Sequence, residues 1–361
     1  MTDDNSTKIL NGYHVVFLVQ NVMIGVALLT LPNLLSSVGY SQWWLPLLFA
    51  LIANLLVIPM IWLLSRYKED NLFAIHEKLL GKWLGKSINV LLVVYLLVLI
   101  ASVSEGYLDL IQVVALPDRT TTWPLLLFML VLVYIVSGGI KSIARYCIMS
   151  FFLATGIIYF LKWGMTDGDI RHALPLLNFS PQELWTATKK GFISMAGFEL
   201  ILFYFPYIIH QRRAFKQVSL GIWICAILYL ATVLVSVMYF SIWQLENVLY
   251  PVLYLFNAVK LSFLERVDVL AISLWVFFVL TTASAYLWVA QRGIDSIRAS
   301  EKKIHLYILA IILYLFINIP FPKEFEKVLY ERVYYVNYGF MLWPIVLCVI
   351  HLLKPKKEGV T

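Results

Sequence analysis

The chain has 361 residues, of which 61% are hydrophobic and 14% charged. Soluble domains carry about 25% charged residues, so this balance excludes an ordinary soluble globular protein. The formal charge of +7 does not point to nucleic acid, because the basic residues sit in short segments beside apolar runs, where Lys and Arg set membrane orientation. The three cysteines, Cys147, Cys225 and Cys348, lie inside apolar segments without metal-ligand spacing and read as small buried hydrophobes.

Apolar runs near the ~20 residues that cross hydrocarbon recur along the whole chain. They predict ten spans, over residues 14–38, 43–65, 84–114, 123–137, 140–161, 186–209, 218–242, 267–289, 304–319 and 333–353. The polar stretch before the first span carries acids and does not read as a cleavable signal peptide. With the N-terminus in the cytoplasm, most of the 28 Lys and Arg fall on the inside. That bias predicts a multi-pass membrane protein with both termini cytoplasmic. Residues 245–264, with Pro251, read as a short outer helix lying over the bundle. Residues 321–332, with Pro322 and alternating charges, read as a solvated outer loop with one helical turn. Trp43, Trp44, Trp123, Trp163 and Trp343 sit near span ends, as an interfacial belt expects.

Five spans precede the long loop 162–184 and five follow it. The first span of each half is interrupted, at Met23-Ile24-Gly25-Val26-Ala27 and at Ala196-Gly197-Phe198-Glu199-Leu200. Glycine inside a helix costs about 1 kcal/mol relative to alanine, and a carboxylate at mid-membrane costs more. Interrupted helices at matching places in two halves mark the solute site of secondary transporter folds. The expectation is an all-α integral membrane domain with two five-helix repeats of opposite orientation, residues 1–161 and 186–353.

An ordered set of motifs carries a family resemblance. Ile24-Gly25-Val26-Ala27-Leu28-Leu29-Thr30-Leu31-Pro32 resembles the first-helix motif of the amino acid–polyamine–organocation superfamily. Gly197-Phe198-Glu199 resembles its broken sixth helix. Gly138-Gly139-Ile140 through Arg145, Pro251-Val252-Leu253, and Glu265-Arg266-Val267-Asp268-Val269-Leu270 before Trp275 narrow the likeness. Together they resemble the B subunits of spore germinant receptors, the GerAB-type permease-like proteins, over essentially the full chain. The resemblance implies a LeuT-type fold, an amino-acid-sized ligand, no cofactor, a spore inner-membrane location, and assembly with an A subunit and a lipoprotein C subunit.

Candidate ligand-binding residues follow. An unwound turn over Ile24, Gly25, Val26 and Ala27 frees backbone groups, and the start of the next half-helix suits an α-carboxylate; close helix packing is the bland alternative. Around Gly197 and Phe198, Glu199 reads as a proton carrier, an ammonium partner, or a plug bonding the first span's unwound backbone. On this basis Glu199→Gln is expected to fold but to change the ligand response. Tyr95 and Ser102 lie on the third span, as does Glu105, which either lines an outer vestibule or pairs with a neighbouring helix. Thr281 and Thr282 form a hydroxyl cluster with Ser284 on the eighth span, where sodium-coupled relatives hold a cation; such hydroxyls also bond their own helix. Arg145 either reaches that region in place of a metal ion or snorkels to the surface. Tyr204, Phe205 and Pro206 either cap a ligand or pack. No nucleophile–base set, phosphate loop or zinc spacing appears, so no enzyme and no metal site are expected. A nutrient sensor, a proton-coupled amino acid transporter and a purely structural subunit all remain compatible with the spans.

Overall fold

A computed structural model of the chain describes residues 8–116, 120–262 and 266–354. Glu265 of the motif before Trp275, and Lys356 and Lys357 of the basic tail, lie outside the described residues.

Among the described residues six helices are long and apolar enough to cross a membrane, a bent pair makes a seventh, and three shorter apolar helices bring the apolar segments to ten. The first is a bent pair, α1 (Gly12–Ile24) and α2 (Ala27–Leu34), which meet at 56°. A 3-10 segment over Ser36–Trp44 leads into α3 (Leu45–Arg66). A short amphipathic helix, α4 (Leu72–Leu80), precedes α5 (Lys82–Val114), and α6 (Thr122–Ser137) leads to α7 (Gly139–Ala154). The fifth span continues through a 3-10 turn into α8 (Leu161–Asp167). The sixth is α9 (Pro181–Gly191), a run of 3-10 turns, and α10 (Ile201–Tyr204). The seventh is α11 (Ala214–Tyr239), followed by the short helices α12 (Ile242–Asn247) and α13 (Pro251–Leu255). The last three are α14 (Val267–Arg298), α15 (Lys303–Ile317) and α16 (Lys323–Leu353).

Boundaries differ from the sequence reading in several places. The long outer loop expected over 162–184 shrinks to 168–180, because helix runs on to Asp167 and resumes at Pro181. Residues 321–332 are not a loop: from Lys323 onward they are the start of one 31-residue helix. Pro322 precedes that helix, and Glu324 and Glu326 occupy its first turn, where carboxylates favour a helix start. The eighth span runs nine residues past 289 on charged residues that leave the apolar layer. The expected single helix over 245–264 is instead two short helices, Ile242–Asn247 and Pro251–Leu255, with Phe263 and Leu264 outside the described residues. Ser241 starts the first of them by accepting from Gln244 N at 3.3 Å, which also ends the seventh span early. Helix α4 interrupts what read as an inner loop; the Asn71 side chain caps it by accepting from Ala74 N at 3.1 Å.

The core lies where the two broken spans pass between α5, α11 and α14. Helix α14 packs along α5, and α1 packs against α7, α11 and α14. One end of the bundle is sealed by backbone. Ile9 N and Leu10 N both reach Tyr207 O at 2.9 Å, and Ile209 N donates to Leu10 O at 3.0 Å. The Tyr207 ring stands edge-on to Trp288 at 5.6 Å, and Arg292 lies over the other ring system at 5.7 Å while pairing with Glu301 at 2.9 Å. At the opposite end Trp43 and Trp44 donate to Ala173 O and Leu176 O, both at 3.1 Å, and so pin the 168–180 connection rather than only marking the interface. Cys147 and Cys225 are buried and Cys348 is half-buried, all as free thiols.

Candidate ligand cavity between two broken helices

A cavity of about 820 Å³ opens at the end away from Leu10 and Ile208. That volume falls within the usual range of small-molecule sites, about 300–1,000 Å³. Its walls are the α1–α2 break, the middle of α5, α9 with its break, α14 and the first half of α16.

At the first break Gly25 has φ +41°, a conformation that L side chains adopt at a cost of about 1–2 kcal/mol. A Cβ there would meet Thr282 Oγ1 at 3.3 Å. The helix end frees carbonyls that must find donors in an apolar layer, and α11 and α14 provide them. The Tyr229 hydroxyl reaches Met23 O at 2.7 Å and Ser194 O at 3.0 Å, spanning both breaks. Trp275 Nε1 donates to Gly25 O at 2.8 Å. Thr282 Oγ1 reaches Val22 O at 2.9 Å and Phe278 O at 3.2 Å. The carbonyl side of this break is therefore filled. The opposite side is the start of α2, where Gly25, Val26 and Ala27 line the cavity and helix geometry leaves the leading N–H groups without intrahelical acceptors.

The second break is tied up from within. Gly197 has φ +128°, and a Cβ on it would stand 3.0 Å from Val22 Cγ1 and 3.1 Å from Met23 N; only glycine lets the two broken segments approach so closely. Glu199 is fully buried. Its Oε2 accepts from Gly197 N at 2.7 Å and its Oε1 accepts from the Tyr286 hydroxyl at 2.9 Å. The carboxylate bonds its own segment and the eighth span, not the unwound backbone of the first span.

The sequence candidates separate accordingly. Gly25, Val26, Ala27 and Thr282 line the cavity. Ile24, Gly197, Phe198, Glu199, Tyr95 and Thr281 are packed behind its wall. The Thr281 hydroxyl bonds Phe278 O at 2.6 Å and reaches Asn21 O only at 3.3 Å. Its main bond thus stays on its own helix, while Thr282 crosses to the first span. Among the described residues, no group of His, Cys, Asp or Glu side chains is arranged to hold a metal ion. Glu105 turns from the cavity to Glu326 and Tyr330 of α16, although its chain neighbour Gly106 lines the wall. Arg145 is exposed on α7, whereas Thr281, Thr282 and Ser284 are buried, which fits a snorkelling side chain. Tyr204, Phe205 and Pro206 are buried below the second break and pack. Sequence reasoning missed Trp275, Tyr229 and Tyr286, whose polar tips serve the two breaks. The signal was there: Tyr and Trp buried in membrane helices seek partners for their O–H and N–H.

Comparison with known proteins fits this geometry. Residues 9–326 match the family described as spore germination protein. The chain belongs to the spore germination protein family. It is 27% identical over 351 residues to spore germination protein GerQB of Bacillus cereus, covering 96% of each chain. It is 24% identical over 352 residues to spore germination protein A2 of Bacillus subtilis (strain 168), again covering 96% of each. Among solved structures, that of MhsT in complex with L-phenylalanine superposes with TM-score 0.65 at 15% identity, over 94% of this chain and 88% of that one. At that identity the likeness is one of fold. The fold is LeuT-type, the chain is a multi-pass membrane protein, and the resemblance read from the motifs holds at the level of the family.

Proposed function

We propose that this chain is the nutrient-sensing, permease-like B subunit of a spore germinant receptor. Its ligand is a small neutral amino acid held in the cavity between the broken first and sixth spans. The observation that carries this reading is the asymmetry of the first break. Its carbonyls are occupied by Tyr229, Trp275 and Thr282, while the start of α2 faces the cavity. A helix start attracts an anionic group, and an α-carboxylate supplies one. The ammonium group then lies toward the hydroxyls of Thr282 and Tyr286, which line the same cavity.

In this reading residues 1–161 and 186–353 are two repeats of opposite orientation, both termini are cytoplasmic, and the sealed Leu10–Ile208 end faces inward from the spore inner membrane. The ligand shifts a conformational balance only as far as it binds one state better than the other. The shift passes to an A subunit and a lipoprotein C subunit and triggers germination. Proton-coupled amino acid transport is the alternative, with Glu199 as the carrier. The two hydrogen bonds that hold both Glu199 oxygens within the wall weigh against it.

The test is uptake of a labelled amino-acid panel into proteoliposomes holding only this protein, with and without an inward proton gradient, beside equilibrium binding to the same preparation. Saturable binding without flux is the expected result. Gradient-driven accumulation makes the chain a transporter, and absence of binding in a folded preparation removes the cavity as a ligand site.

A further inference from the structure

Across the cavity from α2, the wall holds a polar group that the fold leaves unsatisfied. Asn337 of α16 is fully buried and lines the cavity. Neither its Nδ2 nor its Oδ1 has a hydrogen-bond partner. The Tyr95 hydroxyl of α5 lies beside the amide, but it too completes no bond of good geometry. Below them Tyr95 rests against Phe340 at 6.0 Å between ring centroids, and Phe340 against Phe203 at 6.2 Å. The amide therefore sits beside an aromatic stack whose polar group is the Tyr95 hydroxyl.

Buried polar groups in folded proteins are almost always paired, and a buried donor or acceptor left open carries a desolvation penalty. Most side chains here obey that rule: Tyr229, Trp275, Tyr286 and Thr282 all meet partners in the same core. Ser194 Oγ on the same wall and single atoms of Gln20 and Asn21 behind it are open too, but among the described residues Asn337 alone has both side-chain polar atoms buried and open.

We propose that Asn337, supported by Tyr95, is a specificity subsite for the ligand side chain, and that it selects a neutral amino acid carrying a primary carboxamide. This deepens the function proposed above and rests on that reading of the cavity. A carboxamide side chain presents one donor and one acceptor in a single plane, and it closes two hydrogen bonds with the Asn337 amide, one in each direction. The Tyr95 hydroxyl then meets the remaining amide hydrogen or lone pair. A hydrocarbon side chain of the same shape fills the space but leaves both Asn337 atoms unpaired. Sites built to hydrogen-bond a substrate reject analogues lacking the group far more strongly than apolar pockets reject a missing methylene.

The isosteric pair L-asparagine and L-leucine tests this. Full-length protein in nanodiscs is titrated with each, alongside L-glutamine, and the Asn337→Leu and Tyr95→Phe variants are compared at matched thermal stability. The wild type is expected to bind L-asparagine or L-glutamine about tenfold or more tighter than L-leucine. Asn337→Leu brings that ratio to one or below by losing amide affinity while keeping or gaining affinity for L-leucine. Tyr95→Phe, which removes one oxygen and no volume from the core, narrows the ratio to a smaller degree and serves if Asn337→Leu does not fold. Tighter binding of L-leucine by the wild type, or an unchanged ratio in both folded variants, overturns the subsite while leaving the amino-acid cavity standing. No binding of any of the three amino acids overturns the subsite and counts against the cavity itself.

Discussion

The two interrupted spans share a design in sequence, a glycine at mid-membrane flanked by apolar residues, yet their freed backbone groups end up in different hands. At Gly197 the break's own N–H is consumed inside the protein, since Glu199 takes the Gly197 N–H and the Tyr286 hydroxyl, and only the Ser194 hydroxyl is left open on the cavity side. At Gly25 only the carbonyl side is consumed, by side chains reaching in from α11 and α14, and the start of α2 opens on the cavity. A break in a membrane helix thus becomes a binding element only where its neighbours stop short of satisfying it. The second break serves chiefly to let the first be approached, since its glycine touches the backbone at Met23.

The sharpest way to break this contrast is Gly25→Leu. It carries the positive-φ penalty, sets a Cβ 3.3 Å from Thr282 Oγ1 and fills the space before α2, so ligand binding is expected to fall at least about tenfold. Gly39→Ala is the control: Gly39 also has positive φ, +55°, but its Cβ meets nothing nearer than Ile242 Cδ1 at 3.8 Å. It is expected to lower stability without changing the binding isotherm, and equal loss in both variants would mean that strain, not the cavity, explains the effect.

Glu199 separates capping from proton chemistry. Glu199→Ala strands the Gly197 N–H and the Tyr286 hydroxyl, at about 1–3 kcal/mol for each group left unpaired, and thermal unfolding in nanodiscs reads the loss. Glu199→Gln retains an acceptor for Gly197 N and a group for Tyr286, so the capping role predicts a folded protein with a near-normal ligand response. A folded Glu199→Gln protein that no longer responds would return the carboxylate's charge to the mechanism.

Tyr229→Phe sharpens the other side of the comparison. It removes the donor shared between Met23 O and Ser194 O, and a loss of about 1–3 kcal/mol is expected. Unchanged stability would show that the carbonyls of the first break need no side-chain donor.

The smallest effect concerns pH, away from both breaks. On α4, His76 Nδ1 lies 2.7 Å from Asn89 Oδ1, and its Nε2 accepts from Trp343 Nε1 at 2.9 Å. Trp343 only donates, so the ring is neutral with its proton on Nδ1. Burial lowers the pKa below its ordinary 6.5. Below pH 6.5 the unfolded chain gains a proton that the folded one refuses, so stability is full above that pH and declines as pH falls through and below it. His76→Gln is expected to flatten this slope in melts between pH 7.5 and about 5; an equal slope would place the sensitivity elsewhere.

The span count, both breaks and the family resemblance were legible in the residues because they depend on local quantities. Hydrocarbon thickness sets a run length, and glycine and carboxylate are conspicuous where a run should be uniform. Length and charge also misled: Glu324, Glu326 and Arg332 read as a solvated loop, yet the same acids start α16. Which side chain meets which break was not legible. Tyr229, Trp275 and Tyr286 come from spans far away in the chain, and Tyr95 and Asn337 meet across α5 and α16. By itself the sequence determined an all-helical membrane protein interrupted at Gly25 and Gly197, since membrane crossing and helix breaking follow from composition along one segment. Only the tertiary structure decided that Glu199 closes its own break, that Arg145 stays at the surface, and that Asn337 is left open in the cavity wall. Those outcomes depend on helix rotation and on partners from distant spans, and an apolar helix surrounded by apolar neighbours carries little periodic signal of which face turns inward.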